Sequence, residues 1–161
     1  MNAIEVMRKR RTVRAYTGAP VPREHLETIV DCGRLAASGR NAQPWDFIVI
    51  TDKAMIEKLT IVAQWINQAG AVIAVVMDPS SRWWVEDGAA AVQNMLLAAT
   101  ELGYGSCWLE GYTLRHEDEL KILLNVPADR RLMTLVPVGK PVEWPTKENK
   151  TLADVIHLET F

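Results

Sequence analysis

What the chain lacks narrows it first. It has only two cysteines, Cys32 and Cys107, too few for a disulfide framework and without the spacing of a metal site. Both stand in apolar surroundings and read as buried free thiols. The three histidines, His25, His116 and His157, lie far apart and offer no metal-ligand spacing, so no metal is expected. No Gly-x-Gly-x-x-Gly follows a strand-like run, and Gly103-Tyr-Gly105 is too little for a dinucleotide fingerprint. No Ser/His/Asp nucleophile set presents itself. The N-terminus has no apolar signal region. The longest apolar run, Ala69 to Met77, is far too short to span a bilayer. A cytoplasmic protein with no membrane partner is expected. A net charge of -2 argues against nucleic acid as the partner, and there are no internal repeats or low-complexity segments.

What is present is a globular composition. The 161 residues are 48% hydrophobic and 24% charged, enough for one domain with a proper core. Charge is uneven. In the first fourteen residues Arg8, Lys9, Arg10, Arg11 and Arg14 face only Glu5, a cationic patch on an acidic chain.

Periodicity outlines the elements. Residues 2–9 read as a short helix that Asn2 can cap. A helix over 23–37 follows Pro22, with Leu26, Ile29, Val30, Gly33 and Ala37 on one side and Gly39 to end it. Trp45 to Ile50 reads as a strand, 52–68 as a helix with Ile56, Leu59, Val62 and Ala63 inward, and Val72 to Met77 as a central strand. The longest helix runs from Trp83 to Leu102, closed by Gly103. Ser106 to Glu110 reads as a strand, 115–124 as a helix whose Glu117, Asp118 and Glu119 suit its dipole, and Leu132 to Val138 as a strand. Residues 140–150 read as an extended arm, and Leu152 to His157 as a short strand or turn. The alternation gives an α/β or α+β sheet domain. Trp144, Leu152, Val155, Ile156, Leu158 and Phe161 call for burial, so the arm is expected to lie across another surface, such as a second subunit.

Two stretches carry the chemistry. Leu35 to Trp45 is a connection holding Ser38, Gly39, Arg40, Asn41 and Gln43. Pro44 is expected to hold Ala42-Gln43 extended, and an Asn and a Gln two apart on such a segment point the same way, toward the edge of a planar heteroaromatic. By itself it also reads as an ordinary polar loop. Arg10-Arg-Thr-Val-Arg-Ala-Tyr16 sets guanidinium donors and a hydroxyl within five residues, a match for phosphate oxygens. By itself it is also a solvated basic face or a nucleic-acid arm.

In this order, with Asp87 to Gly103, Gly105-Ser-Cys-Trp-Leu-Glu-Gly111 and Leu135-Val-Pro-Val-Gly-Lys-Pro141, the whole chain resembles the FMN-dependent nitroreductase family. The resemblance implies an α+β nitroreductase-like fold with a central mixed sheet of about four or five strands flanked by helices. It also implies a homodimer with exchanged termini and active sites at the interface. Residues 1–139 would form the FMN-binding unit and 140–161 the arm on the partner. Arg10, Thr12 and Arg14 match the family's phosphate-holding pattern, with Arg11 at a more variable place. Ser38, Arg40, Asn41 and Gln43 are implied at the flavin, as are Leu109, Glu110 and Gly111. From the arm Lys150, with Lys147 as reserve, is implied at the phosphate or the pyrimidine edge. Trp83, Trp84 or Trp65 would wall the substrate pocket, because this short chain lacks most of the insertion that larger members carry there; paired tryptophans are also ordinary core or interface residues. The implied activity is hydride transfer from NADH or NADPH through FMN to a small acceptor such as a nitroaromatic or quinone. A non-catalytic flavin- or nucleotide-binding dimer and the related reductive dehalogenation or flavin cleavage are the alternatives.

Overall fold

The computed structural model describes residues 1–146 and 148–161. Helix α1 (Ala3–Lys9) starts where expected. Asn2 Oδ1 accepts from the Glu5 N–H and the Glu5 carboxylate accepts from the Asn2 N–H, both at 3.0 Å, a reciprocal cap. At its other end the Arg11 guanidinium donates to the carbonyls of Arg8 and Arg10, both at 2.8 Å. Helix α2 (Arg23–Arg34) follows Pro22 and buries Leu26, Ile29 and Gly33; it ends three residues before the expected Ala37.

The sheet holds β1 (Trp45–Ile50), β2 (Ala71–Met77), β3 (Gly105–Ser106) and β4 (Arg131–Gly139), in the order β1-β2-β4-β3. Its ladders are antiparallel. The four-stranded sheet is thus antiparallel rather than the mixed one expected; an isolated parallel bridge from Thr12 to Ser106 lays the N-terminal segment along the outer side of β3. Strand β2 is buried on both faces, as its unbroken apolar run requires. Its residues alternate between two cores: Ala71, Ile73, Val75 and Met77 pack toward Leu26, Ile29, Met95 and Leu96, while Val72, Ala74 and Val76 pack toward Ile56, Leu59, Leu120 and Leu132.

Helix α4 (Trp84–Glu101) is the longest and is closed by Gly103 at φ 78°. It lies so close to the sheet that a Cβ on Gly88 would sit 2.4 Å from Met133 Sδ. The expected helix over 52–68 is instead α3 (Lys53–Lys58) followed by 3-10 turns at Leu59–Ile61 and Gln64–Gln68, with Ala63 extended between them. Ile56, Leu59, Val62 and Ile66 are still buried. Their near-threefold spacing suits 3-10 geometry, in which residues three apart eclipse.

The expected strand over Ser106 to Glu110 stops at Ser106. The next residue opposite is Pro137, whose carbonyl accepts from the Cys107 N–H at 3.3 Å but which has no N–H to return. Glu110 therefore opens helix α5 (Glu110–Arg115) rather than ending a strand. Helix α6 (Glu117–Leu123) follows; its Glu117 takes both nitrogens of an Arg131 fork at 2.7 and 2.8 Å.

After β4 the arm runs back beside the N-terminal segment, with the Val142 N–H donating to Ala15 O at 3.1 Å and Trp144 half-buried under Lys9. Leu152–Asp154 is a single 3-10 turn. Residues 151–161 are exposed on this chain, Leu158 at 79% and Phe161 fully. No helix of the described residues is long and apolar enough to cross a membrane.

Candidate functional site

Val13 is the pivot of the cationic segment. It is buried, its N–H donates to Ser106 O at 3.0 Å, and Gly105 lies against it so closely that a Cβ there would fall 2.6 Å away. With Val13 inward, Thr12 and Arg14 face out, and Arg10 continues that side by the period-two rule. Arg11 breaks the alternation because its guanidinium caps α1. Together they line a cleft of about 390 Å³ with Met7, Pro145, Thr146 and Asn149. Among the described residues the lining has guanidiniums, hydroxyls and an amide and no carboxylate, which is the donor set of a phosphate cradle. The arm thus meets the N-terminal cations within one chain.

Two of the arm residues that line this cleft were not singled out in the sequence. Thr146 and Asn149 reach the cleft; Lys150 is exposed one position on and does not line it, and Lys147 lies outside the described residues. Neutral donors give no charge signal to search for in an arm read only as extended. Beneath the cradle, burial pushes the Cys107 thiol up and the adjacent Arg14 opposes that shift only partly, so Cys107 is an inert thiol rather than a nucleophile. The hydroxyl of Ser106 is buried here without a partner among the described residues.

The second place is the loop before β1. It is a 3-10 turn at Gly39–Asn41, not an extended segment, and Arg40, Asn41 and Gln43 all take left-handed φ (54°, 57° and 49°). Such residues cost about 1–3 kcal/mol each when held off their preferred regions, and they persist where surroundings over-determine them. The clamps are visible. Ser38 Oγ accepts from the Gln43 N–H at 3.0 Å, and the Gln43 amide folds back to the Asn41 carbonyl at 3.4 Å. The Gly39 N–H donates to the buried Asp87 at 2.8 Å. Buried Pro44 and Trp45 anchor the far end. The side chains of Arg40 and Asn41 remain exposed.

This loop lines a cleft of about 620 Å³ with Arg82, Trp83 and the ion pair Asp78–Arg130 (2.8 Å). Trp83 is the one of the three tryptophans brought to the loop, with the Arg40 and Arg82 guanidiniums 5.8 and 5.5 Å from its ring. Trp84 packs instead beneath Arg131, and Trp65 against Tyr16. Leu109 is buried, Glu110 half-buried, and Gly111 faces open space with nothing within 4 Å of where its Cβ would be.

The chain does not bring cradle and loop together. Thr12 bridges the outer side of β3, at one edge of the sheet; the loop feeds β1, at the other, and β3 itself is already three strand spacings, about 14 Å, from β1. The two clefts share no lining residue.

An α+β sheet with α2 and α4 packed on one face and an edge-lying basic segment defines the fold class. The sequence profile of the nitroreductase family matches residues 7–77 and 58–140, and the chain belongs to that family. A Methanothermobacter thermautotrophicus protein named as a candidate NADH dehydrogenase/NAD(P)H nitroreductase is 33% identical, covering all of this chain and 88% of its own length. A solved structure with the same description from Parabacteroides distasonis is 30% identical over the full length of both chains, with a TM-score of 0.91. The FMN-dependent nitroreductase of Clostridium difficile, 26% identical, covers 98% of this chain and 99% of its own at a TM-score of 0.89.

Proposed function

We propose that this chain is an FMN-dependent oxidoreductase that takes reducing equivalents from NADH or NADPH and delivers them to a small acceptor, such as a nitroaromatic or quinone. The observation that carries the reading is the carboxylate-free cradle of Arg10, Thr12, Arg14, Thr146 and Asn149, which fits a phosphomonoester on a molecule otherwise acidic. When bound, FMN supplies the hydride and electron chemistry. The chain's part is to hold and orient. Arg10 and Arg14 neutralise the phosphate, and Thr12 adds a neutral donor. Asn41 and Gln43 present amides to the pyrimidine edge from a loop already fixed. The open side of Gly111, next to Glu110 and Leu109, admits a flat ring.

Cradle and loop stand apart on one chain, and residues 151–161 expose Leu152, Ile156, Leu158 and Phe161. A homodimer accounts for both: the arm beyond Asn149 covers the partner, and the partner's loop meets this chain's cradle. Residues 1–139 then form the cofactor-binding body, and of the arm at 140–161 the part beyond Asn149 is the exchanged one. Trp83, beside the loop, walls the acceptor pocket.

Purified protein tests the reading. It is expected to carry releasable FMN, to oxidise about one equivalent of NADH or NADPH per flavin without an acceptor, and to turn over when a quinone or nitroaromatic is supplied. Flavin bound without any nicotinamide oxidation would instead support a non-catalytic flavin binder.

A further inference from the structure

The flavin reading leaves one buried carboxylate without a role. Asp87 lies in the first turn of α4 and is only 5% exposed. Its Oδ1 accepts from the Gly39 N–H at 2.8 Å, forty-eight residues away in sequence; its Oδ2 has no partner among the described residues. Burying a carboxylate for a single backbone hydrogen bond is costly, so its placement asks for a function. Gly39 is also pinned from the other side. A Cβ there would fall 2.3 Å from Cε3 of Trp83, so the backbone approaches the indole too closely for any side chain. Directly after this doubly held residue come Arg40 and Asn41 in left-handed conformation, and Gln43 two further on.

We propose that Asp87, with Trp83 as its platform, is the positioning residue for the amide loop: it fixes Gly39 and thereby holds Arg40, Asn41 and Gln43 in the strained geometry that meets the cofactor. The proposal rests on the flavin reading for what the loop binds, but not for the clamp itself. Helix α4 is locked to the sheet by the close approach of Gly88 to Met133 and Met77, so Asp87 transmits the position of a rigid element to a loop that has no regular structure of its own. The strain is then held before any ligand arrives, and binding does not have to supply it.

The test uses two readouts, one of them independent of flavin. The Arg40–Asn41 peptide is exposed, so trypsin cleavage after Arg40, followed by mass spectrometry on the cofactor-stripped full chain, reports release of the loop. FMN affinity, followed by quenching of flavin fluorescence, reports what that release does to the site. Asp87→Ala is expected to speed cleavage after Arg40 and to weaken FMN binding, each by about tenfold. Asp87→Asn keeps an acceptor for the Gly39 N–H and is expected to stay within about threefold of the parent in both. Leu96→Ala, a buried truncation further along the same helix, is expected to lower the melting temperature while leaving both readouts unchanged. The clamp is overturned if Asp87→Ala cleaves at the parental rate, if Asp87→Asn is as impaired as Asp87→Ala, or if Leu96→Ala reproduces the loss. A parent chain that binds no FMN overturns the flavin reading, while the cleavage arm still decides the clamp.

Discussion

Thr12 and Ser106 form a parallel bridge, and through it the basic segment is docked on the edge of the sheet. That one contact turns a sequence of cations into a directed array, because it fixes which side of the segment faces the core.

The array makes Arg14 and Arg10 the first residues to change. Hydrogen bonds to charged groups contribute about 1.5–3 kcal/mol, so Arg14→Ala or Arg10→Ala is expected to weaken FMN binding by about tenfold to a hundredfold. Arg11→Ala should cost much less affinity, since that guanidinium is occupied by the carbonyls of Arg8 and Arg10. Fluorescence titration at two ionic strengths checks this, with the parent more salt-sensitive than Arg14→Ala.

Gly105 is a packing residue for the same array. Gly105→Ala places a methyl 2.6 Å from Val13. Overpacking of this kind costs about 1–3 kcal/mol, and the displaced strand carries Thr12 with it. Lower thermal stability together with weaker FMN binding is expected; unchanged affinity would mean that the cradle does not depend on the bridge.

The Arg131 fork holds the Glu117 carboxyl below the usual glutamate range, helped by the Leu132 N–H and opposed by burial. A lowered value in the folded chain gives stability that is full above the ordinary glutamate value and lost as pH falls through the lowered one. Glu117→Gln is therefore expected to flatten the acid limb of the melting-temperature profile and to leave the region above neutrality with a smaller, pH-independent loss. An unaltered acid limb would contradict this.

Much of the fold was legible because period and chemistry agreed. The Asn2/Glu5 cap, the unbroken run of β2 and Gly103 at the end of α4 each give a local signal that matches the tertiary result. The misses have local causes that only pairing reveals. Pro137 stands opposite Cys107 and cuts β3 short, which moves Glu110 from a strand end to a helix start. The spacing of Ile56, Leu59, Val62 and Ile66 fits two helical periods, and the structure takes the wider one up to Lys58 and the tighter one beyond it. Near the proposed site, Arg10, Thr12 and Arg14 stood out as guanidiniums and a hydroxyl within five residues, and the family resemblance singled out the same three. The loop's shape could not be read: its left-handed turn depends on Asp87 and Trp83, far away in sequence, and Asn41 and Gln43 look equally suited to an extended segment.

The exposed end of the arm carries a further expectation. Leu158 and Phe161 make this surface apolar, and removal of residues 151–161 is expected to shift the chain from dimer to monomer in light scattering and to reduce FMN retention. A truncated chain that stays dimeric would place the interface elsewhere.

The central claim is that one cofactor site needs the cradle of one copy and the loop of another. Subunit mixing tests it most directly. An Arg10→Ala/Arg14→Ala chain and an Asn41→Ala/Gln43→Ala chain, each deficient in FMN binding alone, are unfolded together, refolded and titrated with FMN. Random pairing is expected to restore about a quarter of the parental binding capacity, since half of the dimers then hold one intact site. No recovery on mixing, with both variants folded and dimeric, would show that cradle and loop serve the cofactor within a single chain and would contradict the account.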